Sequence, residues 1–314
     1  MLVKKWVLKA IVQKTISYLP GRRAINFLFQ KYVTKGVFLS DDYFYDRLGH
    51  AREHLAGYRR FAGQAVPATC LEIGTGWYPV VPIAFFLAGA TTIYSVDIEF
   101  LTSTERLKTT LHRLVDAAEQ GRLAEYVAVQ PDRYAVLKQL LAEIDRVPLD
   151  DALRRLHITY LIEDARQLSL PDDSLDLINS NNTFEHIYPA ILIPIMAEFR
   201  RVVKKRGGVM SHFIDMSDHF AHFDRSITIY NFLRFSEAEW AMVDNSIQPM
   251  SRLRLADYHR IWRDLQIPIS AETTRPGSVA ELATVPLAAP YATQPAADVA
   301  VSHCHLVSSF GGAA

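Results

Sequence analysis

The stretch that most restricts the fold is residues 69–99. Cys70-Leu71-Glu72-Ile73 reads as an apolar strand carrying one acid, and it breaks at Gly74 and Gly76. Residues 80–90 are compatible with a helix, with Pro79 or Pro82 suited to its first turn. Residues 91–96 form a second apolar run that ends at Asp97. This strand–turn–helix–strand order predicts one unit of a doubly wound sheet, in which ligands lie beyond the carboxyl ends of the strands.

Gly74 and Gly76 allow the backbone to approach a ligand, and the helix start favours an anionic group. Asp97, 21 positions after Gly76, is placed to accept both hydroxyls of a ribose. A nicotinamide dinucleotide and S-adenosylmethionine both fit such a unit. The dinucleotide fingerprint wants a third glycine where this chain has Pro79, and it gives Glu72 no part. The stretch resembles the class I S-adenosylmethionine-dependent methyltransferases, whose first motif reads apolar-acid-apolar-Gly-x-Gly; Tyr78 stands where the third glycine is common.

A second block extends the resemblance. Residues 157–162 read as a third strand ending in Glu163-Asp164-Ala165. Leu170-Pro171, a turn, and a fourth strand over 175–179 come next, then Glu185-His186-Ile187 as a helix start. A helix over 191–203 carries Ile191, Ile195, Phe199 and Val202 on one face. Arg200, Arg201, Lys204, Lys205 and Arg206 crowd its end, where the dipole favours cations, and Gly207-Gly208 can stop it. Residues 209–214 read as strand five. The resemblance covers about 70–214. It implies a Rossmann-like α/β fold with a seven-stranded, mostly parallel sheet and helices on both faces. It also implies S-adenosyl-L-methionine as cofactor, held by Glu72, Gly74, Thr75, Gly76, Asp97, Ile98, Asp164, Ala165 and Asn181, with Asp164 on the adenine amino group.

Outside that block the reading rests on composition and pattern. A chain of 314 residues, 49% hydrophobic and 22% charged, can bury a full core. Its two cysteines, Cys70 and Cys304, exclude a disulfide scaffold or a cysteine zinc site. With 34 basic and 34 acidic side chains, nothing announces nucleic-acid binding. Residues 1–40, however, hold eight basic side chains and no acid. Two helices broken at Pro20-Gly21 are expected over 3–35 and a third over 43–61. They form either a cap of residues 1–65 on a methyltransferase domain of 66–314, or a contact with anionic membrane in which Trp6 and Leu2 face lipid. No signal peptide or membrane span is expected, and the reducing-compartment cysteines suit a cytoplasmic protein, peripheral to the membrane if that contact holds.

A helix is expected over 101–118, another over 256–265, and closing strands over 267–273 and 299–308 with an irregular connection between. Residues 215–250 read as an insertion, extending to about 255. Its aromatics, together with Phe213 (Phe220, Phe223, Tyr230, Phe232, Phe235 and Trp240), suit a lid and acceptor platform. Methyl transfer needs an aligned acceptor, and an oxygen acceptor needs a base. His186, His219 and His222 are the candidates, in that order, with His212 nearby in strand five. Asp218-His219-x-x-His222-x-Asp224 has the residue types of a ligand set, but no two-histidine zinc-protease signature is present and no metal is expected. The expected reaction is methyl transfer to a small-molecule or lipid-linked acceptor, such as a sugar, with oxygen favoured. A cofactor-binding protein without transfer, or a nicotinamide-dependent oxidoreductase, is the alternative.

Overall fold

A computed structural model describes residues 4–21 and 38–311. Leu2, Arg22, Arg23, Lys31, Lys35 and the expected second helix lie outside them. The described elements begin with α1 (Lys5–Ser17) and α2 (Asp41–Ala62), then β1 (Thr69–Ile73), α3 (Val80–Ala88) and β2 (Thr92–Asp97). Next come α4 (Thr104–Glu119), α5 (Pro131–Glu143), α6 (Leu149–Arg155), β3 (Ile158–Ile162) and β4 (Leu177–Asn181). The chain continues through α7 (Pro189–Val202), β5 (Gly208–Asp215), α8 (Glu237–Val243), α9 (Leu255–Asp264) and β6 (Ala271–Arg275). Three short helices, α10 (Val279–Leu282), α11 (Ala289–Ala292) and α12 (Ala296–Ala300), lead to β7 (His303–Phe310).

The seven strands form one sheet in the order β3-β2-β1-β4-β5-β7-β6. Only β7 runs antiparallel, to β5 on one side and β6 on the other. This is the α/β architecture that the resemblance implied. Strand order reverses between β1 and β4, which makes their carboxyl ends the switch point where a ligand crevice opens.

Helix α2 is amphipathic. Phe44, Leu48, Ala51, Leu55 and Tyr58 recur at alternating four- and three-residue spacing and are all buried. Ser40 caps it through the Tyr43 N–H, and Gly63 closes it with φ +69°. It packs with α3, α4 and α5 on one face of the sheet. Every residue of α3 is buried, because this helix is covered on all sides. Helices α7 and α9 cover the other face. A third apolar cluster joins α1 to the insertion after β5, with Trp6 against Phe220, Tyr230, Phe232 and Trp240.

Several boundaries differ from the sequence reading. Helix α4 starts at Thr104 because Ser103 Oγ accepts from the Arg106 N–H. Leu175 makes only an isolated bridge to Val203, so β4 begins at Leu177. Glu185-His186 does not start a helix. It lies in a 3₁₀ turn, Phe184–His186, and the helix opens at Pro189, since proline disfavours helical backbone in the residue before it. Residues 299–300, expected to open the last strand, instead end helix α12, and β7 starts at His303. Trp6 does not face lipid; it is buried, at 8% exposure.

Candidate functional site

The glycine turn after β1 is shaped by need. Gly74 has φ +74°, and a Cβ there would lie 2.6 Å from Oγ1 and Cγ2 of Thr183. Gly76 has φ +69° with open space beside it, so only its backbone angle demands glycine. Under this turn sits Glu72, 3% exposed. Thr75 Oγ1 donates to its Oε2 at 2.6 Å, and Asn181 Nδ2 donates to its Oε1 at 2.6 Å. Ser95 Oγ in turn donates to Thr75 Oγ1 at 2.6 Å. Burial outweighs these donors and lifts the Glu72 carboxyl to about 7.

Asn181 is itself held from behind. Its Oδ1 accepts from His54 Nε2 at 3.1 Å and from His50 Nδ1 at 2.9 Å. With Nε2 of His54 a donor, its Nδ1 accepts from Ser211 Oγ at 2.7 Å, which leaves Ser211 to accept from His305 Nε2 at 2.8 Å. A buried hydrogen-bond chain thus crosses the sheet from β7 to β2: His305, Ser211, His54, Asn181, Glu72, Thr75, Ser95. Burial holds His50 at about 3 and His305 at about 4, so the imidazoles are neutral at physiological pH and their tautomers are set by the chain. Phe213 is sandwiched between His50 and His305, with ring centroids 3.8 and 3.9 Å apart.

The sequence reading missed α2's part in this. Tyr43, Arg47, His50 and His54 lie at helical spacing beside the apolar stripe, and polar residues next to a core-facing row were the available signal. Arg47 is 8% exposed, and its guanidinium charge acts on both Glu72 and Glu185. A small cleft is lined by Tyr43, Arg47, Glu72, Gly74, Thr75 and Asn181.

Asp97 and Ile98 lie at the carboxyl end of β2, next to this cleft. The Glu99 N–H donates to Asp97 Oδ1 at 3.3 Å. Asp97 pairs in register with Ile162 of β3, and Ile98, Phe100 and Ile162 are large apolar side chains left exposed there. Asp164 follows β3. Its carboxylate is taken in a forked pair by Arg166, with Nε 2.9 Å from each oxygen, and that hydrogen bonding holds it down at about 2. Ala165 is buried against the α7 face. The nine residues expected to hold the cofactor therefore fall along the carboxyl ends of β1, β2, β3 and β4.

The three candidate bases meet beyond β4 and β5. The His186 and His219 rings are 4.9 Å apart, and His219 and His222 are 5.3 Å apart. His186 Nδ1 donates to the Pro249 carbonyl at 2.7 Å, and burial lowers its pKa to about 4. His219 Nε2 lies 3.3 Å from Asp215 Oδ2, and His303 Nε2 lies 3.4 Å from Asp215 Oδ1. Burial alone would raise Asp215, but the facing imidazoles of His219 and His303 outweigh it and hold the carboxyl well below its usual range. His222 is exposed, with Nε2 3.3 Å from Ser217 Oγ. His212 points to the opposite face, between Phe184 and Phe199, and bonds Ser180.

The two aspartates of the Asp218–Asp224 pattern are committed elsewhere. Asp224 accepts from the Trp6 N–H at the start of α1, and Asp218 accepts from the Phe220 N–H and from Asn231. Both acids are structural. Most of the insertion's aromatics are spent likewise, in the cluster with Trp6; Phe223 stays 37% exposed. A cavity of about 410 Å³ is lined by Tyr188, Trp240, Asp244, Met250, Arg252 and Tyr291 among others, and by none of the three candidate bases.

Residues 111–211 match a family model described as a methyltransferase domain. No curated protein matches the chain in sequence. Among solved structures, the chain is similar to a Leishmania major S-adenosylmethionine-dependent methyltransferase (11% identity, TM-score 0.46, covering 96% of this chain and 82% of that one). It is also similar to 1,6-didemethyltoxoflavin-N1-methyltransferase from Burkholderia thailandensis, with S-adenosylhomocysteine bound (11% identity, TM-score 0.44, 98% and 91%). A third similar structure is phosphoethanolamine N-methyltransferase 2 from Haemonchus contortus (14% identity, TM-score 0.44, 90% and 59%).

Proposed function

We propose that this chain, whose residues 111–211 match a methyltransferase-domain model, is a class I S-adenosylmethionine-dependent methyltransferase that methylates a small or lipid-linked acceptor, at oxygen in preference to nitrogen. The observation that carries the reading is the crevice at the β1–β4 switch point, where Glu72 and Asn181 lie beneath the Gly74–Gly76 turn with Asp97 one strand away. In this reading Asp97 takes the ribose hydroxyls. Ile98 packs on the adenine, and Asp164 shares its remaining lone pairs with the adenine amino group. Glu72 faces the cofactor's ammonium, and Arg47 faces its carboxylate.

The cofactor supplies the electrophilic methyl group, so this chain's task is to hold the acceptor in line and keep water out. The His186, His219 and His222 group lies where an acceptor hydroxyl would lose its proton. His186 is a poor base, with its Nδ1 committed and its basicity reduced by burial. We assign the proton to His222, whose exposure gives it a route to solvent.

No helix among the described residues is long and apolar enough to cross a membrane. Peripheral contact is nonetheless part of the proposal. Leu8 and Ile11 on α1, and Tyr18 and Leu19 just past its end, are 43–76% exposed, with Lys4 and Lys5 exposed near its start. These exposed apolar and basic side chains suit an anionic surface bearing a lipid-linked acceptor.

Calorimetric titration tests the cofactor assignment. S-adenosylmethionine should bind with one site per chain and NADH should give no heat; binding of NADH alone would return the chain to the nicotinamide reading.

A further inference from the structure

A further buried carboxylate, Glu185, stands beside His186 and His219. Glu185 is 6% exposed, and no side chain hydrogen-bonds either of its carboxylate oxygens; only the backbone N–H groups of Glu185 and Asp215 and the more distant Arg47 charge favour its ionised form. Its own backbone is fixed, its carbonyl accepting from the Ser251 N–H at 2.8 Å. A buried carboxylate without a side-chain partner is costly unless it is neutralised or meets a cation at contact distance. Asp215 stands near it, which adds to that cost. Evolvable alternatives such as glutamine would remove the charge, yet the chain carries an acid here.

What surrounds that carboxylate has the chemistry of a ligand set. One donor atom from each of Glu185, His186 and His219 lies within 4.8 Å of the other two. We infer that Glu185, His186 and His219 form a binding site for a divalent transition ion such as zinc. Two imidazoles and one carboxylate are a sound donor set for such an ion and leave a coordination position for a water or an acceptor oxygen. A tetrahedral zinc with bonds of about 2.0–2.2 Å sets its donors roughly 3.4 Å apart. Closing the set therefore takes at most about 1.4 Å of approach between any two donors.

The outer contacts fit as well. The bond from His186 Nδ1 to Pro249 O at 2.7 Å fixes the tautomer whose Nε2 carries the lone pair. For His219, Gln248 Nε2 lies 3.3 Å from Nδ1, and Gln13 Nε2 donates to Gln248 Oε1 at 3.1 Å. Turning both amides end for end keeps both contacts, makes Nδ1 the donor and frees Nε2 for the ion. Asp215, beside His219, compensates the ion's charge. The set lies apart from the Asp218, His222 and Asp224 pattern, and leaves His222 as the base.

The test uses the chelator-treated full-length protein and needs no acceptor, so it stands whether or not methyl transfer is observed. Equilibrium dialysis should show one zinc ion per chain, with a rise in melting temperature on adding zinc. Cobalt should give visible absorption bands of a nitrogen- and oxygen-ligated ion. Glu185→Gln and His219→Asn should each weaken zinc binding at least about 100-fold, more than the loss of a supporting contact produces. The surface variant His259→Ala should leave it unchanged. Should Glu185→Gln not fold, His219→Asn decides the matter. Failure of the wild-type protein to retain zinc or cobalt, or zinc bound equally well by His219→Asn, would overturn the site.

Discussion

Asn181 Nδ2 donates to Glu72 Oε1 across 2.6 Å, tying the carboxyl end of β4 to that of β1 at the point where strand order reverses. The carboxyl it meets is held at about 7 by burial, so Glu72 titrates within the working range of the protein. Its pKa is higher folded than the ordinary 4.5. Its favourable contribution is therefore complete below about 4.5 and is lost as pH rises through 7. Glu72→Gln should remove this dependence, making the variant more stable than wild type at pH 8 by up to about 3 kcal/mol and no more stable at pH 4. In the wild type, S-adenosylmethionine affinity should fall by up to about tenfold per pH unit below 7, because binding a cation requires the proton to leave. Urea titrations giving parallel stability curves for the two proteins would contradict the assignment.

The other end of Asn181 depends on His54, which is fully buried and neutral. Replacing it with leucine leaves Ser211 without its His54 partner and Asn181 Oδ1 with His50 alone. His54→Leu should cost about 1–3 kcal/mol in denaturant unfolding. It should also weaken cofactor binding while the Asp97 contacts stay in place, since it acts only through the orientation of Asn181. Unchanged stability would mean that the hydrogen-bond chain carries no weight.

Asp97→Ala removes two charge-assisted bonds to ribose in this account. The expected loss is about 2–4 kcal/mol of S-adenosylmethionine affinity, read by calorimetry on a variant whose melting temperature is normal. Asp164→Ala should lose less, because its carboxylate is already engaged by Arg166. Gly74→Ala should be worse than Gly76→Ala, since only the former drives a Cβ into Thr183. A folded Asp97→Ala with wild-type affinity would refute the ribose role.

These expectations show which parts of the molecule a sequence exposes. The β1–turn–α3–β2 unit was legible because strand, glycines, apolar helix and closing acid follow one another within 30 residues, and each signal is local. The neutral histidines behind Asn181 were not, because His54 and His305 meet only through β5 and β7. Glu185 was visible only as part of a motif. Its proximity to His219 arises from the parallel pairing of β4 and β5, which no local pattern reveals. The insertion's aromatics were read as an acceptor platform, but Trp6 arrives from more than 200 residues away and draws most of them into a core of their own.

Helix α1 separates packing from surface contact. Trp6→Ala should destabilise the fold by about 3–5 kcal/mol, since its ring is buried against Phe220 and Phe235 at centroid distances of 5.9 and 6.0 Å. The pair Leu8→Ser and Ile11→Ser should leave stability unchanged and abolish cosedimentation with anionic vesicles at low salt. If wild-type protein stays in the supernatant under those conditions, the exposed face has no membrane role.

The measurement closest to the central claim is transfer of labelled methyl from S-adenosylmethionine into fractionated cell extract, with S-adenosylhomocysteine counted alongside. The account predicts label in a small-molecule or lipid fraction, matched one for one by S-adenosylhomocysteine. It also predicts that His222→Ala slows the transfer about 10²–10⁴-fold with cofactor affinity intact. A protein that binds S-adenosylmethionine tightly yet moves no label into any fraction would contradict it.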